Sequence, residues 1–307
     1  MMATLASWSA VLVACVITLA VGGARSSGAA QASETAPALV WEATGFTAPE
    51  SVVFDGGRRQ FYVSNMGTWG QGSTPDDGFI SRLGADGRVL DLRWVTGFDS
   101  PKGLALANGR LYVADDADLV EIDPGTGAIV ARHKPADGPG GFNDCTADAR
   151  GTVYVFSRRR STVFRLRAGR FEPWAKVDTS KTGWPNGLLA ERDRLLLGSW
   201  VVRGADGDER FGILFAVAYA DGAVSQLGNQ RIGNIDGIEP DGRGGYTVTD
   251  WVTGEVLRVS ADGVPARLLT LRQGAADHVY VVDQRLLVVP LVRDHVVRAY
   301  RWNAATR

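Results

Sequence analysis

The chain has 307 residues, 45% of them hydrophobic, which is enough for one large all-β domain or two ordinary ones with a sizeable core. A formal net charge of -1 leaves no basic field to attract nucleic acid. The 38 glycines point to many turns rather than long helices.

In chain order, the first element is an apolar stretch from Ala3 to Gly22. Small residues follow it, and Ala30-Gln31-Ala32 has the form that signal peptidase accepts. Residues 1–32 therefore read as a signal peptide. An uncleaved N-terminal anchor is the alternative, because no Lys or Arg precedes the apolar run and the run is just long enough to span a bilayer. The expectation is an exported protein, periplasmic, in the cell envelope or secreted, with no membrane span once the signal is removed. Beyond residue 32 the one cysteine is Cys145, so no intrachain disulfide forms and burial and ladder hydrogen bonds must hold the fold. Cys145 itself reads as a small buried hydrophobe.

Residues 33–307 carry one pattern six times, which predicts a single domain. A Pro or apolar residue is followed by a polar one, a small residue as a rule, and an apolar strand. A Gly-containing turn and a second apolar strand come next. The starts are Pro49-Glu50-Ser51-Val52, Pro101-Lys102-Gly103-Leu104 and Phe142-Asn143-Asp144-Cys145, then Pro185-Asn186-Gly187-Leu188, Ile235-Asp236-Gly237-Ile238 and Ala276-Asp277-His278-Val279. Their spacing of 41 to 52 residues is the length of a four-stranded blade, so the prediction is an all-β, six-bladed β-propeller. The second strands, such as Gln60–Ser64 and Arg285–Val289, are rich in β-branched, aromatic and leucine side chains. The last repeat lacks an outer strand, and Ala38 to Ala43 can supply it, closing the ring without a broken sheet edge. Repeats one and four are longer after the second strand, at Met66 to Gly78 and Val201 to Arg210. Those stretches should lie at one mouth of the propeller.

A propeller sets the first strand of each blade nearest the axis, so one repeat position meets itself around the channel. That position holds Glu50, Lys102, Asn143, Asn186, Asp236 and Asp277. Buried charges require partners or metals. Carboxylates, amide oxygens and water suit a hard cation, which takes oxygen ligands. Ca²⁺ is the expected ion, with Mg²⁺, Mn²⁺ and Zn²⁺ as alternatives; Zn²⁺ suits the set least, since the position has neither His nor Cys. Glu50, Asp236 and Asp277 against Lys102 leave two negative charges, which one divalent ion cancels. Lys102 and Asp277 are expected to form a charge-balancing pair. Without metal the same residues would make a polar plug.

At these residues the chain resembles the family of SMP-30, gluconolactonase and luciferin-regenerating enzyme. The resemblance rests on Pro49-Glu50, Asn143-Asp144, Pro185-Asn186-Gly187 and Asp236-Gly237, in order and at blade spacing. It implies a six-bladed propeller with one divalent ion on the axis, bound by Glu50, Asn186 and Asp236, and with Asn143 as ligand or substrate contact. It further implies a lactonase or esterase, with Asp236 as general base or direct nucleophile. The sugar-lactonase branch has an arginine two residues before the position of Asn143, where this chain has Gly141; a less polar substrate is therefore expected. A second similarity, to squid-type phosphotriesterases and paraoxonases, implies a further structural ion at Glu239 and His278. The alternative there is a core histidine bonded to Glu239.

The expected partner is a small-molecule lactone or ester, with neither nucleic acid nor membrane, and the expected state is a monomer. Other hydrolytic schemes lack their motifs: there is no Gly-x-Ser-x-Gly elbow and no HExxH zinc signature. The rival from another class is a non-catalytic exported propeller that binds a partner as a scaffold. An open coordination site facing a cavity of ligand size separates the two readings.

Overall fold

A computed structural model describes residues 37–69, 74–203 and 209–302. The expected signal peptide lies outside the described residues. The chain forms six four-stranded antiparallel sheets in a ring, as the repeat predicts. The innermost strands are Pro49–Asp55, Leu104–Ala107, Phe142–Ala147, Pro185–Ala190, Ile235–Pro240 and Val279–Val281. Each blade runs outward as a meander, except the sixth. Its outer strand is Ala38–Thr44 from the other end of the domain, which pairs with Val296–Arg301 so that Ala43 lies opposite Val297. Among the described residues no helix is long and apolar enough to cross a membrane.

Burial follows position in the blade. The second strands Gln60–Asn65, Val153–Ser157, Tyr246–Asp250 and Leu286–Leu291 are buried throughout, because neighbouring blades cover both their faces. The fourth strands, such as Ile129–His133, are largely exposed. Apolar clusters fill the seams between blades. Ala105 and Tyr112 of blade two meet Phe142, Cys145 and Val155 of blade three, and Cys145 is the buried hydrophobe expected of it. At the closing seam Val52, Phe61 and Val63 of blade one pack with Leu286, Val288 and Val297 of blade six. Together with the pairing of Ala38–Thr44, this cluster closes the ring, and each blade keeps only a short inner and outer edge.

Four innermost strands share one irregularity. The ladder slips between Pro49 and Val52, Phe142 and Cys145, Pro185 and Leu188, and Ile235 and Ile238. In each, three steps on the inner strand oppose two on its partner, which is a β-bulge. A bulge bends its strand and re-aims a side chain. The pairs inside the bulges are Glu50-Ser51, Asn143-Asp144, Asn186-Gly187 and Asp236-Gly237. These hold the four residues expected to contact metal.

The small residue after the axial one has a steric cause. A Cβ on Gly187 would lie 2.3 Å from the Asp236 carbonyl oxygen, and one on Gly103 would lie 2.6 Å from the Asp144 Cα. Adjacent inner strands thus approach backbone to backbone. Gly187→Ala should push the Asp236 strand away from the axis and lower any activity of the site by more than it lowers the melting temperature. Assays of activity and thermal unfolding on the same preparation check this, and full activity would show that the contact does not position Asp236.

Candidate functional site

The bulges turn Glu50, Asn143, Asn186 and Asp236 toward one cavity of about 260 Å³ that opens at the channel mouth. All four are buried, at 5% to 7% exposure. Asn143 Nδ2 donates to Asn186 Oδ1, and the Asn186 amide in turn bonds the Asp236 carboxylate, making a continuous arc. Glu50 Oε2 is buried with no hydrogen-bond donor among the described residues. Burial pushes the Glu50 carboxyl well above its usual range, and the charges of Asp236 and Asp277 push it further. Asp236 is raised in the same direction, by burial first and then by Asp277.

The other axial residues behave differently from expectation. Lys102 lines the cavity, but its Nζ donates to the Ser100 carbonyl at 3.1 Å. Asp277 accepts from Ser51 Oγ at 2.5 Å, and its backbone N–H donates to the Glu50 carbonyl at 3.0 Å. The expected Lys102–Asp277 pair therefore does not form. In blade six the axial residue precedes the strand and is drawn sideways onto blade one, so its carboxylate meets Ser51 rather than the channel. Burial lifts the Asp277 carboxyl to about 7.

Asp144 joins the same charge cluster. Its Oδ2 accepts from the Leu188 N–H at 2.6 Å and its Oδ1 from the Cys145 N–H at 2.7 Å, so it laces blade three to blade four. Burial raises its carboxyl, helped by Asp277 and Glu50. Arg158 enters as a second cation that lowers both Glu50 and Asp236. Glu50, Asp144, Asp236 and Asp277 against Lys102 and Arg158 again leave two negative charges, though the members differ from those expected.

Arg158 belongs to a second repeated position that the sequence reading missed. The residue just after the second strand is Met66, Arg158, Trp200 and Trp251 in blades one, three, four and five, and each lines the cavity. Each also donates its backbone N–H to the carbonyl of the residue two before its blade's axial residue. The pairs are Met66 to Ala48, Arg158 to Gly141, Trp200 to Trp184 and Trp251 to Asn234. Thus Gly141, at the position where the sugar-lactonase branch carries an arginine, accepts the backbone N–H of Arg158, whose side chain lines the same cavity.

The long stretch of repeat one reaches the cavity, and that of repeat four contributes none of its lining among the described residues. Met66 and Trp69 come from the first, and Trp200 stands immediately before the second. The second is a hairpin of Val201–Arg203 with Glu209–Phe211 rather than an open loop. Residues 70–73 and 204–208 lie outside the described residues.

Glu239 and His278 stand apart from this cavity. His278 is fully buried, its Nε2 lies 2.8 Å from Thr247 Oγ1 and its Nδ1 3.5 Å from Thr249 Oγ1. The alternative of a histidine bonded to Glu239 is thus replaced by one held by threonines. Burial lowers His278 to about 3 and raises Glu239 well above its usual range. Among the described residues no three His, Cys, Asp or Glu side chains are grouped to hold a metal. Any ion at the mouth must therefore use amide oxygens beside its two carboxylates. The arc of Asn143, Asn186 and Asp236, with the donor-free oxygen of Glu50, fits a hard cation on that count.

No protein-family model matches the chain, and no curated protein matches it. Solved structures do. A gluconolactonase from Xanthomonas campestris superposes with a TM-score of 0.64 at 16% identity, over 85% of this chain and 88% of that one. Virginiamycin B lyase from Staphylococcus aureus superposes with a TM-score of 0.58 at 11% identity, over 87% and 100%. A catalytically inactive histidine-to-alanine variant of that lyase, with quinupristin, gives a TM-score of 0.57 at 11% identity, over 86% and 99%. At these identities the likeness concerns the fold.

Proposed function

We propose that the chain is a divalent-metal-dependent hydrolase of a lactone or ester, with Ca²⁺ as the ion. The observation that carries this is the buried, donor-free Glu50 oxygen facing Asp236, Asn143 and Asn186 on the floor of an open cavity. The fold shared with a gluconolactonase supports it. A scaffold has no need of uncompensated carboxylates at the base of a ligand-sized cavity, where each costs desolvation energy.

In this reading Glu50, Asn186 and Asp236 hold the ion, and Asn143 contacts either the ion or the substrate. The ion supplies Lewis acidity at the substrate carbonyl and offsets the charge that grows on its oxygen. Asp236 takes a proton from water as the water oxygen bonds to the carbonyl carbon. It returns that proton to the alkoxide as the ester or ring C–O bond breaks. The neutral amides of Asn143 and Asn186 orient these groups without adding charge.

The lyase fold-mate invites a second reading, bond cleavage by elimination, since a histidine is what its inactive variant lacks. None of the three histidines here lines the cavity. His133 lies 3.1 Å from Glu121, His295 Nδ1 accepts from the Ala48 N–H, and His278 is enclosed by threonines. Hydrolysis is therefore the reading favoured.

A panel of lactones and esters, assayed with Ca²⁺ and with chelator, tests the proposal. Turnover that chelation removes and Ca²⁺ restores is expected. Turnover indifferent to chelation, or none on any member, would count against it.

A further inference from the structure

The cavity has two chemically distinct zones. Its floor is the polar arc already described. Its rim is Met66 with the indoles of Trp69, Trp184, Trp200 and Trp251. Trp69 and Trp184 are 50% and 42% exposed, an unusual burden of apolar surface beside an open cavity.

Packing alone accounts for part of the rim. Trp251 meets Trp69 at 5.9 Å and Trp200 at 5.5 Å between ring centroids. Trp184 has no ring partner among the described residues and is 42% exposed. The backbones that carry Trp184, Trp200 and Trp251 are fixed in one chain of hydrogen bonds. Trp200 N–H donates to the Trp184 carbonyl at 2.7 Å, Asn234 Nδ2 to the Trp200 carbonyl at 2.6 Å, and Trp251 N–H to the Asn234 carbonyl at 3.0 Å. A rim held this firmly loses little freedom when a flat ligand enters it.

Two cations also line the cavity. The Arg158 guanidinium has no side-chain hydrogen bond or ion pair among the described residues, and Lys102 Nζ has the Ser100 carbonyl alone. An unpaired guanidinium at a cavity is a ready partner for a carboxylate, which it meets with parallel N–H donors.

We propose, building on the hydrolase reading, that the substrate is an aryl ester or aryl-fused lactone bearing an anionic group. Its flat ring lies against Trp184 and the neighbouring indoles, and its carboxylate or equivalent anion meets Arg158, with Lys102 beside it. A sugar lactone would bring several hydroxyls to a rim that offers indoles and a thioether. The cavity, at about 260 Å³, takes a small fused ring system rather than a macrocycle.

The test is quenching of tryptophan fluorescence in the full chain by 2-naphthoate, 2-naphthalenemethanol and gluconate, without turnover. Naphthoate is expected to bind at least about tenfold tighter than gluconate, and Trp184→Ala to weaken naphthoate by roughly five- to tenfold. Arg158→Ala should erase the preference for naphthoate over the neutral alcohol. Both side chains are solvent-exposed, so both variants should fold, and unchanged melting temperatures confirm it. Tighter gluconate binding, or naphthoate binding that both variants leave intact, overturns the proposal. The hydrolase reading fails separately. Naphthoate binding as described, with no ester or lactone turned over, retains the aryl-anion site and removes the hydrolase. Efficient turnover of a sugar lactone without naphthoate binding does the reverse.

Discussion

Asp236→Asn should abolish hydrolysis, by about 10²- to 10⁴-fold as expected for removal of a general base, while raising the melting temperature of the chelated protein. The two effects have one cause. Asp236 is a buried carboxylate whose proton affinity is raised first by burial and then by the charge of Asp277. In the ion-free protein its ionisation costs stability, and the neutral amide removes that cost while keeping an oxygen for Asn186. Each kcal/mol recovered corresponds to about 2–4 °C in a domain of this size. Turnover with saturating substrate and thermal unfolding with chelator measure the two halves. Retained turnover would remove Asp236 from the chemistry. A lower melting temperature would show that the carboxylate has a stabilising partner.

The second large effect is a pH dependence that the ion reverses. Glu50, Asp144 and Asp236 all have folded-state proton affinities above the usual carboxylate range, and Asp277 is lifted to about 7. A group raised in the folded state contributes stability that is complete below its unfolded value and is lost as pH rises through the folded one. His278 has the opposite sign. Lowered to about 3 from 6.5, it contributes stability above 6.5 that is lost as the pH falls. Between about pH 7 and pH 8 His278 is largely neutral in both states and Asp277 titrates, so the carboxylates govern that window. The chelated protein should therefore melt several degrees lower at the upper end than at the lower, at about 1.4 kcal/mol per pH unit for each proton difference. Saturating Ca²⁺, which favours the ionised carboxylates, should flatten or invert the trend. A chelated protein that gains stability across this window would contradict the account of an uncompensated cluster.

Much of this was legible in the sequence because a propeller converts sequence repetition into proximity. Reading one repeat position around the ring brought Glu50, Asn143, Asn186 and Asp236 together, and the cavity contains all four. The same step placed Lys102 at the cavity but overreached at Asp277 and in pairing the two. Repetition gives the height of a residue on the axis but not the direction of its side chain, and in blade six the backbone bonds sideways to Glu50. The second ring, at Met66, Arg158, Trp200 and Trp251, was equally repetitive. It went unread because a residue beyond a strand end looks like the start of a loop, and its chemical types differ from blade to blade. Only the shared N–H bond to the start of each blade reveals the common role. Asp144 was visible as a motif residue, yet its bond to the Leu188 N–H crosses from one blade to the next, which no single repeat shows.

The central claim is that Glu50, Asn186 and Asp236, with Asn143 beside them, hold one divalent cation. Elemental analysis of the full chain beside its Glu50→Gln variant, both equilibrated with Ca²⁺ and freed of excess, tests it most directly. The account predicts one ion per chain in the parent protein and close to none in the variant, with both folded. A parent without bound ion, or a variant that retains it in full, would contradict it.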